Sequence, residues 1–599
     1  MTLRRLALAA VGAVLALVAA PAATPAVAQT QQQPVVLRVA VTQNIDTLNP
    51  FTAIFATSTE IGRLMYEFLT TYDEKLQPAP GLAERWEVSP DKLTWTFTIR
   101  EGAKWSDGQP ITARDAAFTF NLMLRDPAAR KANGNFVAGF ESVTATDDRT
   151  LVIKTKQPQA TMLALDVPIV PEHVWSKVTD IASYPNDQGE VVGSGPFVLV
   201  EHAKEQYVKL KANKNYWRGA PQIDELHFIT YKNTDAAVQA LRKGEVDLVS
   251  KLTSAQFDAL KNQENIALNQ AQGRRFYELA FNPGAALADG TPIGDGHPAL
   301  KDVRVRQAIA QAIDRQAIVD RVMGGYAEVG AGYIPPVFAD YHWKPSPEQE
   351  WKFDLAAANR LLDEAGYPKG PDGVRVGPDG KPLQFRLYGR NDRGADARAG
   401  EFIKSWLAEI GITVDLQLMA GTKMNEEIGL GNFDMAFSSW GVNPDPDYVL
   451  SLQTCDQRPS AQGASGNTDS FFCDARYDEL YRQQLAETDR TKRIELVKQA
   501  QERFYEQVGA VILFYENALE AYRSDRFSSF QVQPDPGGVI TAQQGYWGYY
   551  GAVPTDRATT VESRSTVPVV AVVGGVILVG AAVALVTIRR RRANADDRE

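Results

Sequence analysis

Hydrophobic and polar positions repeat along this chain with two periods, one typical of strands and one typical of helices. Residues 35–41, 93–99 and 150–155 alternate apolar and polar side chains, which predicts half-buried strands. Residues 58–70 and 113–124 repeat apolar side chains every three to four positions, which predicts amphipathic helices. This mixture indicates an α/β or mixed fold. The same patterns predict further strands at 197–201, 207–212 and 225–231 and a helix at 235–243.

A second block of alternating elements begins near residue 300. An apolar stripe along residues 304–323 predicts one long helix. Because a chain of 599 residues exceeds what one hydrophobic core holds, we expect two or more lobes. The remaining predicted helices are 355–365, 401–410 and 490–508, and the predicted strands are 383–388, 413–418, 433–438 and 511–515.

The two ends of the chain carry apolar runs of a different kind. Two arginines precede an apolar run at residues 6–20 and an A-x-A sequence at 26–28, which predicts a signal peptide over residues 1–28. The export route, general or twin-arginine, stays open. Residues 567–588 carry no charge and would measure about 33 Å as a helix, which is long enough to span a bilayer.

Arginines at positions 589–592 follow that C-terminal run directly. A cluster of arginines favours the cytoplasmic side of a membrane. We therefore expect a single transmembrane helix at 567–588, a cytoplasmic tail at 589–599 and the body of the protein outside the cell. The polar residues 554–566 would then form a short flexible stalk.

Composition and charge exclude several classes of protein. Hydrophobic residues make up 44% and charged residues 23% of the chain, as in ordinary globular proteins. The net charge is -10 although both ends are basic, so the body is acidic, which argues against a nucleic-acid partner. The five histidines have no metal-ligand spacing, and no H-E-x-x-H, G-x-S-x-G or phosphate-binding glycine motif occurs. We therefore predict no catalytic, metal or cofactor site. A surface peptidase and a sensory receptor are the alternatives to a binding protein.

The chain has two cysteines, Cys455 and Cys473, on either side of a stretch rich in glycine, serine and asparagine. In an exported protein, a pair this close in sequence is typical of a disulfide that closes a small loop. A zinc site is the alternative, but two cysteines cannot complete it and no histidine lies nearby. We therefore expect a disulfide.

Eight groups of sequence segments, in order from residue 35 to about residue 550, resemble one protein family. The chain is similar to the extracellular solute-binding proteins of family 5, the dipeptide-, oligopeptide- and nickel-type binders of ABC importers. The segments are TLNP at 47–50, MYEFLTTY at 65–72 with GLAERW at 81–86, LTWTFTIR at 93–100 with GAKWSDG at 102–108, GSGPF at 193–197, NYWRGAP at 215–221, GEVD at 244–247, FNP at 281–283 with VRVRQAI at 303–309, and WGVNPDPD at 440–447.

The resemblance implies a two-lobe periplasmic-binding-protein-like α/β fold, of type II and the large cluster C type, with a hinge. We place lobe one at residues 35–281 and 524–553 and lobe two at 282–523, with crossings near 281–283 and 522–527. The family closes its lobes around a ligand and delivers it to an ABC permease and ATPase. The resemblance thus implies a monomer that binds a peptide or another small molecule. Oligosaccharides and nickel chelates are alternative ligands, and an aromatic cluster would suit a sugar: Tyr546, Trp547, Tyr549 and Tyr550.

The resemblance also indicates candidate ligand-binding residues. In peptide-binding relatives, an aspartate shortly after a tryptophan at a strand end takes the ligand's amino terminus. Here Asn443 stands at that position, so either Asp445 serves or the ligand lacks a free amino group. Roles in turns, loops or the core are the alternative for every candidate. The predicted ligand-binding residues are Asn443, Asp445, Trp440, Asp447, Arg390, Tyr388, Arg393, Asn49, Phe51 and Tyr277.

Overall fold

The structure, a computed structural model, describes residues 33–189, 191–464, 466 and 468–559. Residues 35–558 form one unit, in which the chain builds two large sheets. The predicted signal peptide, transmembrane helix and cytoplasmic tail lie outside the described residues, as does the stalk from residue 560 on. Within the described ranges, no helix combines the length and the apolar character needed to cross a bilayer.

The first part of the chain builds most of lobe one. Its strands are β1 (Val36–Val41), β2 (Thr70–Tyr72), β3 (Pro78–Pro80), β4 (Ala83–Val88), β5 (Thr94–Ile99), β6 (Phe140–Ala145), β7 (Thr150–Thr155), β8 (Phe197–Ala203), β9 (Tyr207–Ala212), β10 (Glu225–Thr230), β11 (Leu248–Val249) and β12 (Ile266–Ala271). Its helices are α1 (Ala56–Met65), α2 (Ala113–Arg125), α3 (Gly134–Val137), α4 (Glu172–Trp175), α5 (Thr234–Arg242) and α6 (Ser254–Leu260).

The middle of the chain builds lobe two. Its strands are β13 (Arg275–Phe281), β14 (Ala327–Val329), β15 (Gln384–Arg390), β16 (Thr413–Met419), β17 (Met435–Gly441) and β18 (Ala510–Glu516). Its helices are α7 (Val303–Gln311), α8 (Arg315–Arg321), α9 (Leu355–Glu364), α10 (Gly394–Glu409), α11 (Gly421–Gly429), α12 (Asp447–Ser451), α13 (Ala475–Ala486) and α14 (Arg490–Glu506). The chain then returns to lobe one with β19 (Ala518–Arg523), β20 (Phe527–Ser529), α15 (Trp547–Tyr550) and β21 (Val553–Pro554).

Each large sheet has its own core. The lobe-one sheet has the order β12-β19-β11-β1-β10-β9-β8, and a second lobe-one sheet has the order β4-β5-β7-β6. The lobe-two sheet has the order β14-β18-β13-β17-β15-β16. Alternation explains the strands: β5 buries Trp95, Phe97 and Ile99 and turns its threonines outward. The predicted α/β class is confirmed.

The chain crosses between the lobes at other positions than predicted. Strand β13 belongs to the lobe-two sheet, so the first crossing lies at residues 272–274 and not near 281–283. Strand β19 belongs to the lobe-one sheet, so the return crossing lies at Asn517 and not near 522–527. Lobe one therefore comprises residues 35–271 and 518–558, and lobe two comprises residues 275–516.

Two further expectations are corrected. The stripe at 304–323 forms two helices, because Asp314 accepts a hydrogen bond from the amide of Ala317 and starts α8. The first residues of the predicted stalk belong to lobe one: β21 pairs with β20, and Ala558 is 3% exposed.

Candidate functional site

Polar side chains gather where the parallel strands of lobe two end. Strand β15 pairs in parallel with both β16 and β17, so the carboxyl ends of the three strands meet at one edge of the sheet. Ligands of open α/β sheets bind outside such ends. Residues 542–545 of lobe one approach this edge, and Gln544 Nε2 donates a hydrogen bond to Asn443 Oδ1 across 3.0 Å. We call the space between these strand ends of lobe two and residues 542–545 of lobe one the interlobe cleft.

Asn443 and Asp445 have different surroundings. Asn443 is exposed, and its partner Gln544 belongs to the opposite lobe. Asp445 accepts hydrogen bonds from both terminal nitrogens of Arg493, at 2.5 and 2.8 Å, and this pair is largely buried. Because the guanidinium already neutralises the carboxylate, Asp445 lacks a free charge for a ligand ammonium group. The sequence alternative in which Asp445 takes that group is not supported.

Asp447 begins α12 and helps to order the same turn. Its backbone amide donates to Asp445 and its carboxylate accepts from Gln484. Burial and the neighbouring Asp445 raise the pKa of Asp447 to about 6. These contacts stay within lobe two, so the structure gives Asp447 a structural role instead of the predicted ligand contact.

Trp440 lies at the end of β17 and is partly exposed. Its indole Nε1 donates to Asp469, which also accepts from Ser438 and which sequence reasoning missed. The exposed Tyr448 packs edge to face against the indole at 6.0 Å. Trp440 therefore remains a candidate wall of the cleft.

The candidates on and near β15 separate into two groups. Tyr388 is 5% exposed and donates to the Asn432 carbonyl, so it belongs to the core and not to a ligand site. Arg390 donates to Asn425, and Arg393 donates to Ser439 Oγ at 3.4 Å. Both arginines are half-buried at the cleft edge and remain candidates for a ligand carboxylate.

Arg393 is part of a small cluster on one face of the lobe-two sheet. Its guanidinium lies 5.7 Å from the centre of the Tyr277 ring, and Tyr277 stacks on Phe514. Arg275, which sequence reasoning missed, donates to the carbonyl and hydroxyl of Ser439 at 3.1 Å. Burial raises the pKa of Tyr277 to about 12. Tyr277 is half-buried, and its ring lies against the Arg393 guanidinium.

The candidates near the mature start are wrong as ligand contacts. The Asn49 side chain is fully buried and donates to the carbonyls of Ile181 and Tyr184, at 2.9 and 2.8 Å. Phe51 is 2% exposed and packs edge to face on Trp175. Both residues fix the first loop to lobe one, as the turn alternative expected.

Two adjoining cavities open beside these residues. The larger, about 530 Å³, lies between the lobes, with Tyr72 and Leu76 on one side and Asp445, Arg490 and Arg493 on the other. The second, about 300 Å³, shares Tyr72 and is lined by Gln544 and the Arg63–Asp166 ion pair.

Two other predicted features, the disulfide and the aromatic cluster, can be compared with the structure directly. Cys455 and Cys473 form the expected disulfide. Three of the four aromatic residues proposed for a sugar belong to the core, because Tyr546, Trp547 and Tyr549 are at most 8% exposed. The fourth, Tyr550, is partly exposed and donates a hydrogen bond to the Arg218 carbonyl. Among the described residues, no group of three or more His, Cys, Asp or Glu side chains is placed to hold a metal ion.

Comparisons with known proteins agree with this architecture. Residues 77–460 match the family model described as bacterial extracellular solute-binding proteins, family 5 middle. The chain is 29% identical over 479 residues to di/tripeptide-binding protein 2 of Pseudomonas aeruginosa, covering 76% of this chain and 84% of that protein. It is 28% identical over 469 residues to the dipeptide-binding protein of Escherichia coli, covering 74% and 82%.

Solved structures show the same fold. The oligopeptide-binding protein AppA of Bacillus subtilis, in complex with a nonapeptide, superposes with a TM-score of 0.67 at 24% identity, covering 88% of this chain and all of that one. The ABC transporter substrate-binding protein CtaP of Listeria monocytogenes gives a TM-score of 0.73 at 22% identity, with the same coverage. At this identity, the likeness establishes the two-lobe fold alone.

Proposed function

Because the chain belongs to the bacterial extracellular solute-binding proteins of family 5, we propose that it captures short peptides between its lobes and delivers them to an ABC importer. The interlobe cavity between Tyr72 and Asp445 carries this proposal, since residues of both lobes line it. The family consists of binding proteins, so the chain is not an enzyme. The names of the two relatives support peptides as the ligand class.

The mechanism we propose is capture by closure. An extended peptide offers backbone groups that must be hydrogen-bonded once water is excluded, and strand ends and loops of both lobes supply partners. The bond between Gln544 and Asn443 then holds the lobes together over the ligand. We infer that Arg390 and Arg393 receive a carboxylate of the peptide, because both guanidinium groups lie at the cleft edge.

The copurifying ligand tests this function. The full chain is purified without added peptide and unfolded in denaturant, and the released small molecules are identified by mass spectrometry. We expect short peptides, and we expect added peptides to be bound and recovered uncleaved. Recovery of saccharides or metal chelates alone, with no affinity for peptides by calorimetry, would contradict the proposal.

We further propose that residues 567–588 tether the protein to the membrane with its two lobes outside the cell. The tethered protein would act as a monomer beside the permease. The support is the uncharged run followed by arginines 589–592. A tether raises the concentration of captured ligand at the importer. The full chain should stay in the membrane fraction after an alkaline wash, whereas a chain ending at residue 566 should be released. Release of both would refute the tether and leave the binding function standing.

A further inference from the structure

Two carboxylates meet beside Trp440 in lobe two. Glu278 on β13 is the direct cross-strand partner of Ser438 on β17, so their side chains lie on the same face of the sheet. Phe276 and Trp440 form the next pair on that face. Asp469, on the loop closed by the Cys455–Cys473 disulfide, covers the face and accepts hydrogen bonds from Ser438 and Trp440.

Glu278 has no compensating partner there. Its side chain is 2% exposed, and within the described part of the chain its Oε2 finds no hydrogen-bond donor. The nearby Tyr333 hydroxyl is bonded to Tyr477 instead, at 2.6 Å. A buried carboxyl group without a partner costs free energy, so this arrangement needs an explanation.

The buried carboxylate of Asp445, in contrast to that of Glu278, has a cationic partner. Arg493 satisfies Asp445 with two hydrogen bonds, as is usual for a buried carboxylate in a stable fold. Beside Glu278 and Asp469, Arg390 is close enough to act on Asp469 through its charge, but its guanidinium donates a hydrogen bond to Asn425 and none to either acid. The two acids therefore keep free acceptor capacity, in a place that a ligand could complete.

We propose that Asp469 and Glu278, together with the indole of Trp440, form a subsite for a positively charged group of the ligand, an ammonium or a guanidinium. Carboxylates bind such groups through charge-assisted hydrogen bonds, and an indole face attracts a cation. Trp440 and Asp469 are partly exposed, and the adjoining Tyr448 is 42% exposed, so solvent reaches the edge of this cluster. This inference rests on the proposed function.

The subsite accounts for the neutral Asn443. Asn443 cannot neutralise an ammonium group, and Asp445 is occupied by Arg493. A cation in the cleft would therefore be recognised by Asp469 and Glu278 in their place. The group could be the amino terminus of a peptide or a lysine or arginine side chain, and the two sources differ in which chemical modification removes the charge.

The affinity for a cation should depend on pH. Burial and Asp469 raise the pKa of Glu278 to about 8, and burial raises the pKa of Asp469. The other groups that face the pair are Tyr333, Tyr448 and Arg390, and Ile512 of β18 is apolar. Because only the ionised acids attract a cation, binding displaces a proton, and affinity for cationic ligands should rise from pH 5.5 to pH 7, a range in which a peptide amino terminus keeps its charge.

The test is calorimetry on the full chain with three tetrapeptides of equal length. One has a free amino terminus and neutral side chains, one is its N-acetylated form, and one is N-acetylated and contains lysine. We expect a cationic peptide to bind about tenfold more tightly than the acetylated neutral one, and the pair of cationic peptides identifies the source. Asp469→Asn should reduce this preference to about twofold or less, and the exposed Asp415→Asn should leave it unchanged.

The outcomes separate this inference from the function. Failure to bind any peptide would refute the proposed function. Equal binding of charged and neutral peptides by the unmodified protein would refute the cation subsite alone, as would a preference that stays constant between pH 5.5 and pH 7. The pH series uses no variant, so it decides the question even if Asp469→Asn fails to fold. Glu278→Gln, close in shape to the native side chain, gives a second independent variant.

Discussion

Arg493 is the residue on which the acidic turn beside the cleft depends. The Asp445 side chain is only 13% exposed, and Asp447 lies two residues further along the chain. Removing the guanidinium leaves a buried carboxylate without a cation, which typically costs about 3–5 kcal/mol. We expect Arg493→Met to lower the free energy of unfolding by about that amount in urea titrations.

A matched control is available in the same helix. Arg490 pairs with Asp340 at the surface, where both side chains are more than 40% exposed. Because exposed ion pairs contribute about 1 kcal/mol or less, Arg490→Met should have a small effect. Adding Asp445→Asn to Arg493→Met should restore part of the stability, since the uncompensated charge is then gone. Equal losses for the two arginine variants would contradict the assignment.

Glu278 should make stability depend on pH in the direction opposite to that of a paired acid. Its pKa is raised from 4.5 to about 8, so the folded protein holds a proton that the unfolded chain releases. Stability therefore decreases as pH rises from about 4.5 to 8. Glu278→Gln removes this dependence, so the gain of the variant over the native protein should grow from less than about 1 kcal/mol at pH 5 to about 4 kcal/mol at pH 8. Parallel pH profiles of the two proteins in urea titrations would contradict the prediction.

For single residues, the sequence predicted which residues belong to the site better than it predicted which residues contact one another. The disulfide followed from two cysteines, and Trp440, Arg390 and Arg393 followed from the resemblance. Asp469 could not be found, because it lies in a loop without periodicity and its role arises from a strand pair distant in sequence. The buried candidates Phe51 and Asn49 were wrong because a turn motif does not reveal which way its side chains point.

The disulfide loop is the element that links stability to ligand choice. It closes a separation of 18 residues and carries Asp469 above β17. Loss of such a loop closure costs about 3 kcal/mol in the chain-entropy account. We expect the double variant Cys455→Ser and Cys473→Ser to lose stability by about this amount and to lose the preference for cationic peptides, measured by urea titration and calorimetry.

Reduction of the native protein provides the control, because the chain has no other cysteine. A reducing agent should reproduce both effects in the native protein and change nothing in the double variant. Loss of stability with an unchanged preference for cationic peptides would show that Asp469 stays in place without the bond, and would separate the two roles of the loop.

Periodicity predicted the elements whose burial alternates cleanly. Strands β1, β5 and β7 and helices α2 and α9 lie within a few residues of their expected bounds. The prediction of one helix at 304–323 was wrong because the apolar stripe continues across the break between α7 and α8, where Asp314 caps α8. Strand β13 was missed because it is buried along most of its length and shows little alternation, and this omission misplaced the first crossing.

At the scale of the whole molecule, two crossings define the hinge. The chain leaves lobe one at residues 272–274 and returns at Asn517. Composition and length indicated more than one lobe, but the two-lobe arrangement came from the resemblance. No local pattern could give the crossings, because sheet membership depends on strand pairs such as β12 with β19, which lie about 250 residues apart.

Contacts between the lobes should control how long a ligand stays bound. Gln544 donates to Asn443 across the cleft, and Lys92 forms an ion pair with Glu487 at 3.2 Å. Such contacts contribute only when the lobes are closed. One hydrogen bond contributes about 1 kcal/mol, so Gln544→Ala should weaken peptide binding about threefold to sixfold, mainly through faster dissociation. Stopped-flow measurement of ligand release checks this.

The unliganded protein separates closure from folding in this experiment. Gln544→Ala should leave its thermal midpoint unchanged, because the Gln544 side chain bonds across the cleft and not within lobe one. Lys92→Ala removes a partly exposed ion pair, so it should change the dissociation rate by about twofold or less. A fall in the unliganded midpoint for Gln544→Ala would place its contribution in folding, and an unchanged dissociation rate would show that this bond does not hold the closed state.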